Sequence, residues 1–302
     1  MPRLVPQGQT ADSAIVQAAR VSYGRGTKRV QEDRGLIRYL LRNRHTTPFE
    51  MVEFKFHIAM PIFVARQWIR HRTANVNEYS GRYSVMPDRF YRPTLGSVRK
   101  QSASNRQGSD GVLGQDPADP ARAAAETQTA QDFLAYLDAA ESLHARYQSL
   151  LDRGVSRELA RVGLPLSLYT EWYWKCDLHN ILRFLSLRLD AHAQDEIRAY
   201  AQAMHDLIAP VVPITMEAWR DYDLDALTLS GPEARALSAL LAGGSAALAS
   251  DNQRELAEWA AKLARLGAAD PRPAMAAPAT HTPPIHAKAP GPGAQAAPRE
   301  LA

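Results

Sequence analysis

A dense run of polar side chains between residues 70 and 83, reading RHRTANVNEYSGRY, is the part of the chain best equipped for chemistry. It begins with Arg70, His71 and Arg72, two permanent cations around a titratable ring. Such a triplet is most often the solvated end of a helix, where the helix dipole favours cations. It can also bind an anion, because the planar guanidinium group of arginine matches a phosphate.

The residues that follow the triplet favour the anion-binding interpretation. Glu78 places a carboxylate among donors, and Ser80 supplies a hydroxyl. Gly81 lets the backbone come close to a ligand, and Arg82 adds a further cation. A nucleotide requires these groups together, since its phosphate binds cations, its sugar hydroxyls bind a carboxylate and its base edge binds donor–acceptor pairs. The segment therefore predicts a nucleotide site.

This segment closely resembles the signature RHRxxSxNExSxRY of the flavin-dependent thymidylate synthases. Only the first serine of the signature differs, and its place is taken by Asn75. Other segments that look like the family are ARVSY at 19–23, HTTPFE at 45–50, PIFVARQWIRHR at 61–72, RELARVGLPLSLYTEWYW at 157–174 and DLHNILRFLSLRLDAHAQDEIR at 177–198. The resemblance extends to about Asp223 and so covers most of the chain.

The resemblance implies an enzyme for de novo dTMP biosynthesis. The reaction would be the reductive methylation of dUMP to dTMP, with methylenetetrahydrofolate as one-carbon donor and NADPH-reduced FAD as hydride source. The implied fold class is α+β, with a mixed or antiparallel sheet packed against long helices, in a homotetramer whose active sites lie at subunit interfaces. The implied flavin site is not of the Rossmann type, and no G-x-G-x-x-G motif follows a predicted strand.

The family's site residues carry over to this chain by position. The residues implied to bind dUMP are Gln67, Arg70, Glu78, Ser80, Gly81, Arg82, Arg161 and Arg188. The residues implied to bind FAD are Ser22, His45, Thr47, Arg70, His71, Arg72, Glu78, Asp177, Leu178, His179 and Arg183. Arg188 is implied to be catalytic, because a cation at the uracil edge would stabilise negative charge on the ring. Arg183 stands where the family often has histidine or asparagine.

Some of these residues have simpler explanations. Arg161 lies three residues after Glu158 and could form an ordinary helix salt bridge. Arg188 could pair with Asp190 or lie at a helix C-terminus. His192 and Glu196 are spaced like a metal-binding pair but lack a third ligand, so no metal site is expected.

Neither candidate nucleophile fits covalent catalysis. Nothing in the sequence supplies the base that Ser80 would need, so Ser80 is interpreted as a residue that binds substrate. The single cysteine, Cys176, precedes Asp177, and a neighbouring carboxylate disfavours the reactive thiolate. Both observations favour chemistry driven by a cofactor.

Two other functions are compatible with parts of the sequence. Arginines interleaved with aromatic residues between 66 and 100 would suit a nucleic-acid-binding protein. Glu78 inside this cluster and the modest net charge of +4 argue against that interpretation. A flavin-binding member of the family without activity is suggested only by Asn75 and Arg183.

The composition limits the classes of protein to which the chain can belong. The chain has 302 residues, of which 45% are hydrophobic and 23% charged, as in ordinary globular proteins. It has one cysteine, no apolar leader at the N-terminus and no apolar stretch long enough for a membrane helix. We therefore expect a cytoplasmic protein that binds neither membrane nor nucleic acid.

Apolar periodicity predicts the elements that position the site. Helices are predicted at 12–21, 31–41, 61–72, 126–152, 156–161, 177–189, 192–208, 233–241 and 253–266, and strands at 54–58 and 168–174. Asp12 or Ser13 would cap the first helix, and Gly154 would end the long one. The expected buried residues of the helix at 61–72 are Ile62, Phe63, Ala65 and Ile69. Those of the long helix are Phe133, Tyr136, Leu137, Ala140, Leu143, His144, Tyr147 and Leu151.

The predicted domain organisation follows changes in composition. Residues 1–225 would form the catalytic domain, with a polar, mobile surface insertion at 94–121 that is rich in glycine, serine and aspartate. Residues 226–267 would form a helical extension. The Ala/Pro-rich residues 268–302 would be a disordered tail, because they cannot bury enough apolar surface to offset their ordering entropy.

Overall fold

The computed structural model describes residues 10–21, 33–103, 108–116 and 118–268. The chain divides between Ala226 and Leu227 into two compact units, which are described separately. Within the described residues no helix combines the length and the apolarity needed to cross a bilayer. Ser22 and most of the predicted tail lie outside the described residues.

The described part of the first unit contains ten α-helices and five strands. The helices are α1 (Asp12–Arg20), α2 (Asp33–Arg42), α3 (Thr47–Glu50), α4 (Ile62–Trp68), α5 (Pro120–Glu141), α6 (Leu143–Asp152), α7 (Arg157–Ala160), α8 (Leu178–Arg188), α9 (Asp195–Ile208) and α10 (Pro213–Trp219). The strands are β1 (Glu53–Pro61), β2 (Asn75–Glu78), β3 (Arg99–Gln101), β4 (Ser109–Val112) and β5 (Tyr169–Asp177). A π-helical turn, Arg220–Leu224, follows α10.

The central element of the first unit is β5, which lies between β1 and β2 in an antiparallel sheet. Its sequence YTEWYWKCD is rich in aromatic residues, which favour strands. Alternate side chains, Thr170, Trp172, Trp174 and Cys176, are buried, while Glu171 and Tyr173 face solvent. The antiparallel sheet packed with helices confirms the predicted α+β class. Both predicted strands are present and longer than predicted.

A cluster of aromatic rings joins the sheet to α4 and α8. The Trp68 ring stacks on Phe184 at 4.6 Å between centroids and meets Trp172 and Trp174 edge-on. All four side chains are at most 2% exposed. Burying large aromatic rings dominates core energetics, so this cluster fixes the positions of the ends of α4 and α8.

The helix that precedes the charged triplet is shorter than predicted. It ends at Trp68, and its buried residues are Val64, Ala65 and Trp68. The predicted burial of Ala65 is confirmed, whereas Ile62, Phe63 and Ile69 are not fully buried. Because Trp68 belongs to the aromatic cluster, it turns that side of α4 inward. Arg70, His71 and Arg72 therefore lie beyond the helix, in the turn that leads to β2.

The predicted long helix and the insertion before it also differ from expectation. The helix begins at Pro120, capped by Asp119, and is interrupted at Ser142, so α5 and α6 are separate. Only Ala130 of α5 is buried, and the predicted buried residues Phe133 and Tyr136 are 39% and 66% exposed. Gly154 follows α6 with a φ of +88°, which confirms the predicted end. The insertion contains the β3–β4 hairpin instead of only irregular chain.

The prediction that Asp12 or Ser13 caps α1 is wrong, and Asp12 instead caps α10. Helix α1 begins without a side-chain cap. The Asp12 carboxylate, 2% exposed, accepts hydrogen bonds from the backbone of Ile214 and Thr215 at 3.0 Å and from the hydroxyls of Thr10 and Thr215. Residues about 200 positions apart are thus joined by one buried carboxylate.

We expect Asp12→Ala to lower the free energy of unfolding by about 2 kcal/mol, since it leaves the buried N–H of Thr215 and the part-buried N–H of Ile214 without an acceptor. Chemical denaturation monitored by circular dichroism measures this loss. Asp119→Ala is the control, because Asp119 is an exposed cap whose carboxylate accepts from Arg122 N–H. Its removal should cost about 1 kcal/mol or less. Equal losses in the two variants would contradict the interpretation that the buried Asp12 carboxylate stabilises the fold by joining α1 to α10.

The second unit contains α11 (Gly231–Leu241) and α12 (Gln253–Arg265). Ser230 and Glu233 form a capping box at the start of α11, and Glu233 also pairs with Lys262 of α12 at 2.8 Å. Trp259 is fully buried and donates to the Ala246 carbonyl at 2.7 Å. The unit therefore has a small core of its own.

Candidate active site

The segment predicted to bind ligands runs between two pockets of the first unit. From the end of α4 it passes through β2, which pairs with β5 so that Glu78 lies opposite Trp172. The backbone of Tyr79 then donates to the Glu171 carbonyl at 2.8 Å, and a turn follows at Ser80, where Ser84 N–H donates to the Ser80 carbonyl at 3.0 Å. Asparagines are poor strand formers, which explains why β2 was not predicted.

The first pocket has a volume of about 500 Å³. Its lining residues are Ile62, Glu78, Tyr79, Ser80, Gly81, Met86, Arg161, Val162, Leu164, Leu168 and Thr170. Glu78, Ser80, Gly81 and Arg161 of the predicted dUMP residues are thus brought together, whereas Gln67, Arg70, Arg82 and Arg188 do not line this pocket. An apolar floor with a carboxylate, a hydroxyl and a cation suits a small polar ligand with one flat apolar face.

Thr170 orients the carboxylate of Glu78. The Thr170 hydroxyl, on a residue 3% exposed, donates to Glu78 Oε1 at 2.8 Å. This bond leaves the other carboxylate oxygen, Oε2, available to a ligand. Residue-by-residue comparison with the family missed Thr170. The available signal was a hydroxyl among large apolar residues on the inward face of the predicted strand at 168–174.

We expect Thr170→Val to lower kcat/KM for dUMP about 10-fold, because the Glu78 carboxylate loses its orienting donor while the side-chain volume is kept. Steady-state kinetics at several dUMP concentrations measure the change. Thr215→Val is unsuitable as a control, because Thr215 bonds the buried Asp12. The exposed Thr129→Val on α5 is the matched control and should leave the kinetics unchanged. An unchanged kcat/KM in Thr170→Val would show that Glu78 needs no orientation.

Met86 forms the wall behind Gly81 and is held by α6. The backbone N–H of Met86 donates to Tyr147 Oη, and the Met86 carbonyl accepts from His144 Nε2, both at 3.0 Å. Because a carbonyl can only accept, His144 Nε2 is the donor of this bond. A Cβ on Gly81 would lie 2.6 Å from Met86 Sδ and 3.1 Å from Arg161 Cδ. Any larger residue at position 81 would therefore force the side chains of Met86 and Arg161 to move.

Glu158 contacts both Arg161, which lines this pocket, and Arg82, which does not. Arg82 Nη2 lies 3.5 Å from a Glu158 carboxylate oxygen, and Arg161 Nε donates to the Glu158 carbonyl at 3.4 Å. The simple alternative of an Arg161–Glu158 salt bridge is wrong, since the carboxylate pairs with Arg82. The Arg161 side chain keeps its terminal N–H groups for a ligand.

The second pocket, of about 320 Å³, is strongly basic. Its lining residues are Arg70, His71, Arg72, Thr73, Trp174, Cys176, Asn180, Arg183, Leu187 and Arg188. Among the described residues none of its four arginines forms a salt bridge with a carboxylate. Such a concentration of unneutralised charge is costly without an anion, so this pocket fits a polyanionic ligand.

His71 and Arg188 contact each other across this pocket. Arg188 Nε donates to His71 Nε2 at 3.0 Å. Burial, followed by the nearby charges of Arg188 and Arg183, lowers the pKa of His71 to about 4. Burial also lowers the pKa of Arg188. The simple alternative of an Arg188–Asp190 pair is wrong, because Asp190 bonds His192 at 2.9 Å.

Cys176 lines the same pocket as an unreactive thiol. Burial, with a smaller contribution from Asp177, raises the pKa of Cys176 to about 12, and Sγ donates to the Thr73 carbonyl at 3.0 Å. The prediction that Cys176 is a poor nucleophile is confirmed, although burial rather than the neighbouring carboxylate is the main cause.

Five further predicted flavin residues, His45, Thr47, Asp177, Leu178 and His179, lie outside both pockets, and Ser22 lies outside the described residues. Asp177 caps α8 by accepting from Asn180 N–H at 2.9 Å, and the Leu178 side chain is fully buried in the core. His179 follows them on the first turn of α8. His45 is exposed beside Tyr39, and Thr47 is the first residue of α3.

Comparison with known proteins adds independent evidence. A family model described as "Thymidylate synthase complementing protein" matches residues 3–214. A flavin-dependent thymidylate synthase of Dictyostelium discoideum is 56% identical over 262 residues, which cover 87% of this chain and 81% of the relative. One from Thermus thermophilus is 52% identical over 240 residues, covering 79% and 82%.

Solved structures agree with this similarity. A UMP/dUMP methylase, PolB, from Streptomyces cacaoi, bound with 5-Br UMP, aligns with a TM-score of 0.59 and 34% identity. The alignment covers 70% of this chain and 90% of that chain.

Proposed function

The chain belongs to the family of thymidylate synthase complementing proteins, and from this premise we propose that it catalyses the reductive methylation of dUMP to dTMP. The relatives are flavin-dependent thymidylate synthases, and a similar solved structure is a UMP/dUMP methylase. This membership makes the chain a methyltransferase enzyme and argues against the nucleic-acid-binding alternative.

The observation that carries the proposal is the pair of pockets joined by residues 70–81. One pocket offers Glu78, Ser80 and Arg161 above an apolar floor, which suits a pyrimidine nucleotide. The other offers Arg70, Arg72 and Arg183, none of them paired with a carboxylate among the described residues, which suits the diphosphate of FAD. One continuous segment that borders two such sites supports a reaction between a nucleotide and a flavin.

The roles of the protein groups follow from their chemistry. Arg70, Arg72 and Arg183 would hold FAD, which when reduced by NADPH would supply the hydride, and methylenetetrahydrofolate would supply the one-carbon unit. Arg188 stabilises negative charge that develops on the uracil ring. Glu78, oriented by Thr170, binds the nucleotide, and Arg161 binds its phosphate. Cys176 takes no covalent part, because its raised pKa keeps it a thiol.

The active site is proposed to form where subunits of a homotetramer meet. Arg188 lines one pocket of the chain, whereas Glu78, Ser80 and Arg161 line the other, which supports a site completed by a second chain. Helix α5 also presents a stacked pair of aromatic rings, Phe133 and Tyr136, to the outside. Exposed aromatic pairs of this kind are enriched at interfaces. The reducing cytoplasm is the proposed location.

We expect Tyr136→Glu to shift the protein toward smaller assemblies, because it places a charge in an apolar contact. Analytical ultracentrifugation across a concentration series measures the shift, and dTMP formation should fall in parallel. Gln131→Glu adds the same charge to an exposed position of the same helix and is the matched control. A tetramer of unchanged stability in Tyr136→Glu would exclude α5 from the interface.

The test of the proposed function is direct. The full-length protein is purified, its flavin absorbance is recorded, and dTMP formation is measured with dUMP, methylenetetrahydrofolate and NADPH. Product that requires all three supports the proposal. A yellow protein without turnover would favour a flavin-binding member without activity. A colourless protein that binds oligonucleotides and forms no dTMP would overturn the proposal.

A further inference from the structure

His71 is an unusual partner for Arg188, because it accepts a hydrogen bond from the guanidinium group without carrying a negative charge. Arg188 Nε lies 3.0 Å from His71 Nε2, and Arg188 has no carboxylate partner among the described residues. An arginine Nε–H group can only donate, so His71 Nε2 must present its lone pair. An uncharged acceptor therefore holds a cation in place without neutralising it.

We propose that His71 is a positioning residue for Arg188, which it orients through Nε2 while leaving the full positive charge and both terminal nitrogens for the uracil ring. The proposal rests on the proposed function, in which Arg188 acts on dUMP. A carboxylate in the place of His71 would orient the guanidinium equally well but would cancel the charge on which its electrostatic role depends.

The His71 ring is braced well enough to act as a fixed acceptor. Its backbone N–H donates to the Trp68 carbonyl at 2.9 Å, and its ring meets Phe184 edge-on at 4.9 Å. Phe184 is stacked in turn on the buried Trp68. Arginine side chains are long and lose substantial rotamer entropy when they are ordered. Because the rigid His71 ring already orders the Arg188 side chain, less rotamer entropy is lost when the substrate binds.

The surroundings of His71 keep its ring neutral at physiological pH. The charged groups facing it are Arg188 and Arg183 from α8, and Arg70 and Arg72 flank it on its own segment. Burial first, and then the charges of Arg188 and Arg183, disfavour a proton on the ring. The pKa of His71 is lowered to about 4, so Nε2 remains an acceptor at any pH above about 5.

Two substitutions separate the acceptor from the ring. His71→Gln keeps an acceptor oxygen near the position of Nε2, whereas His71→Phe keeps the ring and removes the acceptor. We expect His71→Phe to lower kcat about 30-fold with little change in KM for dUMP, because orientation of Arg188 matters most in the transition state. His71→Gln should stay within about 5-fold of the parent enzyme. Flavin content is measured by absorbance in each variant.

A double-mutant cycle tests whether His71 acts through Arg188. In an Arg188→Lys background, which has no Nε–H at that position, His71→Phe should lower kcat less than about 3-fold further. An equal loss in both backgrounds would overturn the proposal. So would a loss of bound flavin in both His71→Phe and His71→Gln, because His71 would then act on the cofactor directly.

Nitrogen-15 NMR of histidine-labelled protein provides a readout that needs no turnover. The His71 signal, identified by its loss in His71→Gln, should titrate near pH 4 and move upward in Arg188→Ala, because one of the cations that lowers its pKa is removed. A protonated Nε2 at pH 7 would overturn the proposal. If the signal behaves as expected but no dTMP forms, the proposed function fails while the His71–Arg188 contact stands.

Discussion

Replacing Arg188 by alanine is expected to lower kcat for dTMP formation by about 10³-fold, which is the upper range for removal of one preorganised charged donor. Arg188 lies in the last turn of α8, is partly buried, and keeps its charge uncompensated by any described carboxylate. Partial burial strengthens its electrostatic effect, because the surrounding dielectric is lower than in water. Single-turnover measurements with saturating flavin and dUMP give the rate of the chemical step.

The fold should survive this substitution. Helix α8 is anchored by apolar side chains that are buried in the core and do not depend on the charge of Arg188. They are Ile181, Leu182, Phe184 and Leu185. Only the acceptor on His71 loses its partner, and half-buried Nε2 can bond water instead. The midpoint temperature of thermal unfolding should therefore change by a few degrees at most.

Arg183→Ala is the matched control for Arg188→Ala. Arg183 lies on the same helix and lines the same pocket, but it is exposed and has no hydrogen bond to His71. Its loss should weaken flavin binding, while kcat at saturating flavin stays within about 5-fold. If both variants lose the same factor, the pocket acts through its total charge. If Arg188→Ala keeps a third or more of the parent kcat, Arg188 is not catalytic.

The elements of the fold that the sequence predicted well are those whose own apolar pattern is strong. The alternation in β1 and the aromatic run in β5 were sufficient to identify both strands. Strand β2 was missed because Asn75, Asn77 and Glu78 are poor strand formers, and it exists only because β5 offers a pairing edge. The sequence predicted a buried face on α5 because its apolar residues recur at helical spacing. Periodicity alone, however, cannot distinguish a face buried in the core from an exposed one.

The candidate site was predicted as a set of residue types but not as an arrangement. The signature indicated which residues could bind a nucleotide and a flavin. It could not indicate that Glu78 and Arg161 line one pocket while His71 and Arg188 line another, because that separation depends on how α4, β2 and α8 meet around Trp68. Thr170 and Met86 were missed for the same reason, since their roles depend on contacts between distant parts of the chain.

The second large effect is expected from Gly81→Ala, which should lower kcat/KM for dUMP by about 100-fold, mainly through KM. The added Cβ would lie 2.6 Å from Met86 Sδ, closer than two such atoms can approach. Met86 cannot retreat as a whole, because Tyr147 and His144 hold its backbone from α6. Its side chain must instead turn into the pocket or push Arg161 away from the ligand. Dissociation constants for dUMP, measured by calorimetry, should rise with KM.

Two further variants separate this effect from a general loss of stability. Gly163→Ala adds the same methyl group in the neighbouring turn, where a Cβ meets nothing within 4 Å, and it should leave KM unchanged. Gly81→Ala combined with Met86→Ala removes the clashing sulfur, so the double variant should bind dUMP more tightly than Gly81→Ala alone. Recovery of binding in the double variant would trace the defect to the contact with Met86. If binding does not recover, the remaining close contact, with Arg161 Cδ at 3.1 Å, would have to carry the whole effect.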